Sequence, residues 1–411
     1  MKNNIKQILI ILDQSIVSLG NFLITLMLIK FLGLREFGIF SFFWIFLLLI
    51  QSTQLAFIIS PMLSNIHKQS DSNIKYFYGS VFLQQIFSCL VMFFFVLIFL
   101  KYFFSIFFSY DIKNLYLPFS LIILSSQLFQ FCRRLLISLG NIILLIIVDF
   151  VVYFILIISI YIFKQYYYLN VEVIFWQFFI IFFIGSLLLY KTIFYLNFSI
   201  VNFFLSIKDN WKIGKWLLLT SLTQWFSGNL WVINAGIILG PYYLGVIRAC
   251  QTIIGILNPI LQSFENIFPH DVSKILKEKN KYHMNKYLNK NIIKFFSILL
   301  IISLAIILFS KQILLTFYGS EISNYNYLLS YLVLVFPFIS LQVFPQYGLR
   351  SISKTFPIFL SYLTSSAFTI LTSSYLINEF GLNGFICGVY LSSLLTLLVT
   401  YCSFYYYLKK Y

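Results

Sequence analysis

LGNFLITLMLIKFLGLREFGIFSFFWIFLLLIQSTQLAFIISPM, residues 19–62, reads as two long apolar runs hinged on the short turn LGLREFG at 32–38. The same arrangement returns as LGPYYLG at 239–245, Gly20-Asn21 recurs as Gly228-Asn229, and Pro61 closes the following run as Pro269 does later. One glycine-flanked turn between apolar runs means little, but three landmarks sharing an offset of 207 or 208 residues point to an internal duplication. Duplicated membrane bundles of this kind are a mark of secondary transporters, whose substrate path lies between the repeats.

Composition dictates the solvent. With 61% hydrophobic, 21% aromatic and 10% charged residues in 411, and a mean hydropathy of +0.92, the apolar side chains exceed what one globular core hides from water. The runs lack in-out alternation, so helices rather than barrel strands are expected. Twelve runs near 20 residues suffice to cross a bilayer core: 8–31, 38–62, 77–100, 115–137, 142–163, 172–190, 216–239, 243–268, 295–316, 326–347, 356–377 and 383–408. They predict an all-α polytopic membrane protein of two six-helix lobes, residues 1–206 and 207–411, separated near a loop at 191–215.

Charge supplies orientation. If the N terminus is cytoplasmic, 21 of the 28 lysines and arginines fall on that side, which satisfies the positive-inside rule and puts both termini inside. The net charge of +16 is spread over short loops, so it orients the chain and touches anionic lipid rather than binding nucleic acid. The densest run, KILKEKNKYHMNKYLNKN at 274–291, resembles a surface helix on the inner leaflet.

Familiar catalytic signatures are missing. Cys89, Cys132, Cys250, Cys387 and Cys402 lie in apolar segments without a C-x-x-C, and read as small packing residues. His67, His270 and His283 have no ligand-spaced neighbours, so neither a metal nor a cofactor is expected. No P-loop or G-x-S-x-G occurs, and the short outer loops leave no room for a catalytic domain; a transporter is expected, not an enzyme.

Function is therefore sought in polar residues within the spans, each costly in hydrocarbon unless it faces a cavity or a partner helix. In span one Gln14, Ser18, Asn21 and Thr25 share a helical face, with Asp13 beside it. Span two adds Gln51, Thr53 and Gln54; span four adds Ser125, Ser126, Gln127, Gln130, Arg133 and Arg134. Span seven repeats the stripe with Thr220, Gln224, Ser227, Trp231 and Asn234, and carries Asn229 in the repeated pair. Span eight aligns Arg248, Thr252, Gly255, Asn258, Gln262 and Glu265. Two readings compete: a water-filled cavity accepting a polar, anionic headgroup, or hydrogen-bonding glue between helices. Arg248, about two turns beyond its outer turn, is the best candidate for the first. Arg133 and Arg134 either snorkel to the inner interface or meet substrate, and Asp149 is placed to pair with one of them. Asp13, Asp149 and Glu265 are candidates for an ion-coupling site or for arginine counter-ions.

The stretch at 12–62, together with FCRRLLISLGN at 131–141 and the segment 214–269, resembles Wzx-type polysaccharide flippases of the multidrug/oligosaccharidyl-lipid/polysaccharide (MOP) exporter superfamily. The resemblance implies a V-shaped, MATE-like pair of lobes working by alternating access in the bacterial cytoplasmic membrane. Its implied cargo is an oligosaccharide on polyprenyl pyrophosphate, turned to the outer leaflet for cell-surface polysaccharide (O-antigen) biosynthesis, with polysaccharide-assembly proteins as partners. Arg248 best matches the pyrophosphate-holding arginines of that family; Trp225, Trp231, Tyr242 and Tyr243 offer rings to sugars or anchor the interface. Two other classes stay open. A MATE-like cation-coupled drug antiporter would use Asp13 or Asp149, and a membrane-embedded polymerase or ligase would need a large outer loop.

Overall fold

The computed structural model describes residues 2–66, 73–103, 113–188 and 196–410. Its elements are helical throughout: α1 (Lys2–Leu32), α2 (Leu34–Gln54), α3 (Ser60–Asn65), α4 (Ile74–Phe103), α5 (Tyr116–Leu139), α6 (Ile142–Tyr166), α7 (Val171–Leu188), α8 (Ile200–Leu239), α9 (Pro241–Ile254), α10 (Asn258–Glu278), α11 (Lys281–Leu308), α12 (Ser310–Tyr318), α13 (Ser320–Ser323), α14 (Asn326–Ser351) and α15 (Phe356–Lys410). Among the described residues nine helices are long and apolar enough to cross a membrane, making this a multi-pass membrane protein. The 55-residue α15 holds the last two expected spans, because its backbone leaves helical values at Gly381 (φ 56°, ψ −131°).

The seventh and eighth expected spans fall outside those nine for separate reasons. Gln224, Asn229 and Asn234 dilute the apolar half of α8. The eighth run is not continuous: α9 ends at Ile254, Gly255–Leu257 tighten into a 3-10 turn, and α10 restarts at Asn258 with Pro259 in its first turn. Proline has no N–H to return to the preceding turn, so the helical ladder is cut there. Pro61 acts similarly in the first half, where Leu55–Ile59 widen into a π turn between α2 and α3.

The two repeat turns have the same backbone. Gly33 (φ 76°, ψ 169°) precedes α2, and Gly240 (φ 94°, ψ 170°) precedes α9. Only glycine reaches those values without a Cβ clash, which gives the shared Leu-Gly pair its physical meaning.

Two expectations about loops need correction. The segment 191–215 is not a loop at its C-terminal end, since α8 already begins at Ile200 and runs 40 residues. Asn202, Ser206 and Asn210 recur every four residues there, a helical period that the flanking lysines mask. The basic run 274–291 is likewise no separate surface helix. It is the end of α10 and the start of α11, meeting at Asn280, whose side chain accepts the His283 N–H at 2.9 Å as an N-cap.

Contacts divide the chain into two compact units, Met1–Leu222 and Thr223–Tyr411, with the boundary inside α8. In the first, α5 lies against α4 and α7, and α1 packs along α6. Phe43, Phe119 and Phe175 interlock with centroids 4.8 to 5.6 Å apart, and Ile58, Met62, Tyr78, Phe131 and Leu135 form a second cluster. In the second unit α14 is central, packed by α9, α10, α11 and α15 around Leu288, Phe295, Leu299, Phe344, Tyr347 and Phe404. The outward faces are apolar too. On α6, Ile143, Ile147, Phe150 and Phe154 are exposed at helical spacing while Leu145, Val148, Val152 and Leu156 are buried, as expected of a helix with lipid on one side. Cys387 and Cys402 are on exposed positions, so the packing role expected of all five cysteines holds only for Cys89, Cys132 and Cys250.

Close packing in the second unit makes one strong demand. The ring of Trp231, 1% exposed, lies so near Gly388 that a Cβ there would meet it at 2.1 Å. Gly388→Ala should lower stability by about 1–3 kcal/mol through overpacking, read as an earlier thermal unfolding midpoint of the detergent-purified protein. An unchanged midpoint would show that the two helices separate at little cost.

Candidate functional site

The polar residues of the first unit gather around Arg133, on α5. Leu139 ends that helix, Gly140 turns back with φ 81°, and α6 returns Asp149 antiparallel to it. The Arg133 guanidinium is fully committed. Its Nε donates to Asp149 Oδ1 and Oδ2 at 3.0 and 2.8 Å, and Nη1 donates to Gln130 Oε1 at 2.9 Å. Nη2 lies 2.7 Å from Asp149 Oδ2 and 3.2 Å from Asp13 Oδ2, on α1. Arg133 is 5% exposed and both aspartates 0%. This arginine neither snorkels nor faces outward; it is held in a three-helix ion cluster, the arrangement that a forked, planar cation serves best. One cation against two carboxylates leaves a formal charge of −1, and Asp13 Oδ1 has no hydrogen-bond partner among the described residues. Arg134, its neighbour, is half-buried.

A second polar layer joins α2, α4 and α5. Gln54 Nε2 donates to the Gln127 carbonyl at 2.7 Å, and Gln85 Nε2 reaches Cys89 Sγ at 2.9 Å and Gln127 Oε1 at 3.5 Å. Gln54 and Gln127 are 3% and 1% exposed. In span one, Asn21 donates to the Tyr153 hydroxyl at 3.4 Å and Thr25 to the Asn21 carbonyl at 2.7 Å; Gln14 there and Gln51 in span two are half-buried. Gln84, Gln85 and Tyr153 were not singled out in the sequence; only the neighbouring helices reveal their partners.

In the second unit the stripe of α8 divides. Ser227 and Ser365 Oγ are 2.8 Å apart, Ser366 donates to the Thr223 carbonyl at 2.7 Å, and Asn234 bonds Ser373, so this side ties α8 to α15. Trp231 belongs to that seam rather than to a free ring surface. Gln224 and Asn258 are exposed, and Asn229 is half-buried, donating to the Trp225 carbonyl at 3.1 Å. Tyr242 and Tyr243 stand edge-on to Tyr325, with centroids 6.4 and 6.3 Å away.

Arg248 differs from Arg133 in its partners. It lies seven residues into α9 from Pro241, about 10 Å along the helix axis. Nη1 donates to Gln251 Oε1 at 3.0 Å on the same helix, and among the described residues no carboxylate is within ion-pair reach. The Tyr318 hydroxyl donates to the adjacent Ala249 carbonyl at 3.3 Å, bracing α12 against this turn. Gln262 and Glu265 fall on α10, with side chains outside the described residues, as are His67 and the His270 side chain. Among the described residues no three His, Cys, Asp or Glu side chains gather as a metal site.

Residues 217–376 match the MatE family model. No curated protein matches the chain. Among solved structures, the chain is similar to an inward-facing multidrug resistance MATE family transporter of the MOP superfamily, with TM-score 0.77 and 14% identity over 97% of this chain and 99% of that one. It is also similar to the lipid II flippase MurJ in an inward closed conformation, with TM-score 0.74 and 14% identity over 95% of this chain and 86% of that one. A MOP superfamily transporter from Pyrococcus furiosus follows at 0.63, with 13% identity over 98% and 95% of the two chains. Identities this low speak for the architecture alone: this chain has the fold of MOP superfamily transporters.

Proposed function

We propose that this protein is a flippase that carries a polyprenyl-pyrophosphate-linked oligosaccharide from the cytoplasmic to the outer leaflet of a bacterial cytoplasmic membrane, by alternating access, for cell-surface polysaccharide assembly. The observation that carries the reading is Arg248: a cation well inside α9 whose described partner is a neutral amide. An unpaired ion in hydrocarbon costs about 2.5–3.5 kcal/mol even on insertion scales, so its retention calls for an anion that comes and goes. A pyrophosphate matches the guanidinium fork. The physical task also fits a membrane-embedded fold. A sugar chain cannot cross about 30 Å of hydrocarbon unaided, while its lipid tail has no reason to leave it. The likeness to the MurJ fold supports a lipid-linked cargo, and the positive-inside distribution supports cytoplasmic termini.

A cation-coupled antiporter is the second reading, favoured by the formal charge of −1 left at Asp13, Arg133 and Asp149. Proteoliposomes separate the two. The flippase reading expects a fluorescent polyprenyl-pyrophosphate oligosaccharide to become accessible from the opposite leaflet only when the protein is present. Ethidium efflux driven by a proton or sodium gradient, with no leaflet exchange of the labelled lipid, would replace the first reading by the second.

A further inference from the structure

We infer that the first unit carries a saccharide-binding cavity of its own, between the start of α4 and the start of α8, where the sugar of the lipid-linked cargo is held; this rests on the flippase reading above. The cavity measures about 550 Å³, within the range of small-ligand sites of about 300–1,000 Å³.

Its walls are fixed by the backbone. The Asn197 N–H donates to the Lys75 carbonyl at 3.2 Å, and a Cβ on Gly79 would come within 2.1 Å of the Asn197 carbonyl oxygen. Leading into α8, this segment is therefore locked against α4. Trp211 stacks edge-on to Phe57 at 5.6 Å, which fixes α8 against the π turn after α2.

Among the described residues the lining is polar and nearly neutral. Asn65, Ser80 and Ser206 form a buried floor, with Asn73, Tyr76 and Asn202 also on the wall. Ser80 and Ser206 spend their hydroxyl protons on the Tyr76 and Phe203 carbonyls at 2.7 and 2.9 Å, leaving oxygen lone pairs as acceptors. Behind the floor runs an amide relay: Asn65 Nδ2 donates to Asn210 Oδ1 at 3.5 Å, and Asn210 Nδ2 to Gln84 Oε1 at 2.8 Å. Gln84 Nε2, on a residue 2% exposed, ends the relay with no partner among the described residues. Among the described residues the charged lining groups are Asp209 and Lys212, which pair with each other at 3.0 Å.

Among the described residues such a lining has no net charge with which to hold a phosphate or an ammonium, and too polar a floor for an acyl chain. Amides that both give and accept hydrogen bonds and serine hydroxyls that accept them, with Tyr76 and Phe77 as ring surfaces, suit a neutral polyhydroxyl group. On the orientation expected from the basic loops, the cavity opens where the cargo is loaded.

The test uses full-length protein in source cells whose own copy is deleted. Leu205→p-benzoyl-phenylalanine places a photo-crosslinker on the cavity wall without removing a polar group. Illumination should yield a glycan-positive adduct from which mild acid releases a polyprenol. The double variant Asn202→Ala, Asp209→Ala should export at least five-fold less surface polysaccharide at unchanged membrane level, with the Asn202→Gln single variant retaining most of it. A phospholipid-only adduct, a glycan adduct without polyprenol, no adduct, or normal export by the double variant would each overturn the inference. If deleting the wild-type protein leaves polysaccharide export intact, the flippase reading itself fails; if deletion abolishes export but the cavity results are negative, only the cavity assignment does.

Discussion

Arg248→Ala should abolish translocation of the labelled lipid-linked oligosaccharide while the protein inserts and purifies normally. Truncating one member of a buried, hydrogen-bonded charge pair costs about 2–5 kcal/mol, which lowers transport at least about thirty-fold. Folding should tolerate the change, because the partner lost in the unliganded protein is the neutral Gln251 amide at 3.0 Å, and no described carboxylate is stranded by it. Arg248→Lys separates charge from geometry. It keeps the cation but loses the planar fork, so partial recovery is expected. Wild-type leaflet exchange by the alanine variant, at equal protein level, would remove Arg248 from the transport mechanism.

Asp149→Asn should have the opposite signature: a large loss of folded protein. It replaces one oxygen of the bidentate acceptor of Arg133 by an NH2 group and leaves that guanidinium with the Asn carbonyl, Gln130 and, as its remaining carboxylate, Asp13 at 3.2 Å. Breaking a buried ion pair by removing one partner costs about 3–5 kcal/mol; here Asp13 still balances the cation, and the loss comes from the shorter, bidentate contact and from an amide N–H turned toward a guanidinium that cannot accept it. Asp13→Asn should cost far less, since Arg133 keeps Asp149 and the excess negative charge disappears. Replacing all three together, Asp13→Asn, Arg133→Met and Asp149→Leu, should recover most of the lost stability, as apolar replacements of buried ion clusters often do. Thermal unfolding in detergent, followed by size-exclusion recovery, measures the series. An Asp149→Asn protein as stable as wild type would mean that the cluster is hydrated and contributes little.

A pairing of Asp149 with Arg133 or Arg134 was legible because they lie 15 or 16 residues apart across one glycine turn, so antiparallel helices bring them near; the fold selects Arg133. Asp13 was legible only as an intramembrane carboxylate; its place in the same cluster depends on α1 packing along α6, 120 residues from Arg133 in the chain. The stripe on α8 shows the same limit from the other side. Its helical period was correct, but period describes a helix relative to itself, and α15 decides that Ser227 and Asn234 are hydrogen-bonded seam residues. The Asn65, Asn210 and Gln84 relay, joined across 145 and 126 residues, left no trace in any local window.

Sequence alone determined the solvent, the helical class, the duplicated Leu-Gly turns and the short list of charges that lipid makes expensive, because these follow from composition, period and the conformational freedom of glycine. Tertiary structure decided which charges are paired: Arg133 meets two aspartates, whereas Arg248 meets an amide. The difference is one of distance between atoms on separate helices, and Coulomb energy in a medium of low dielectric constant depends on that distance, not on position along the chain.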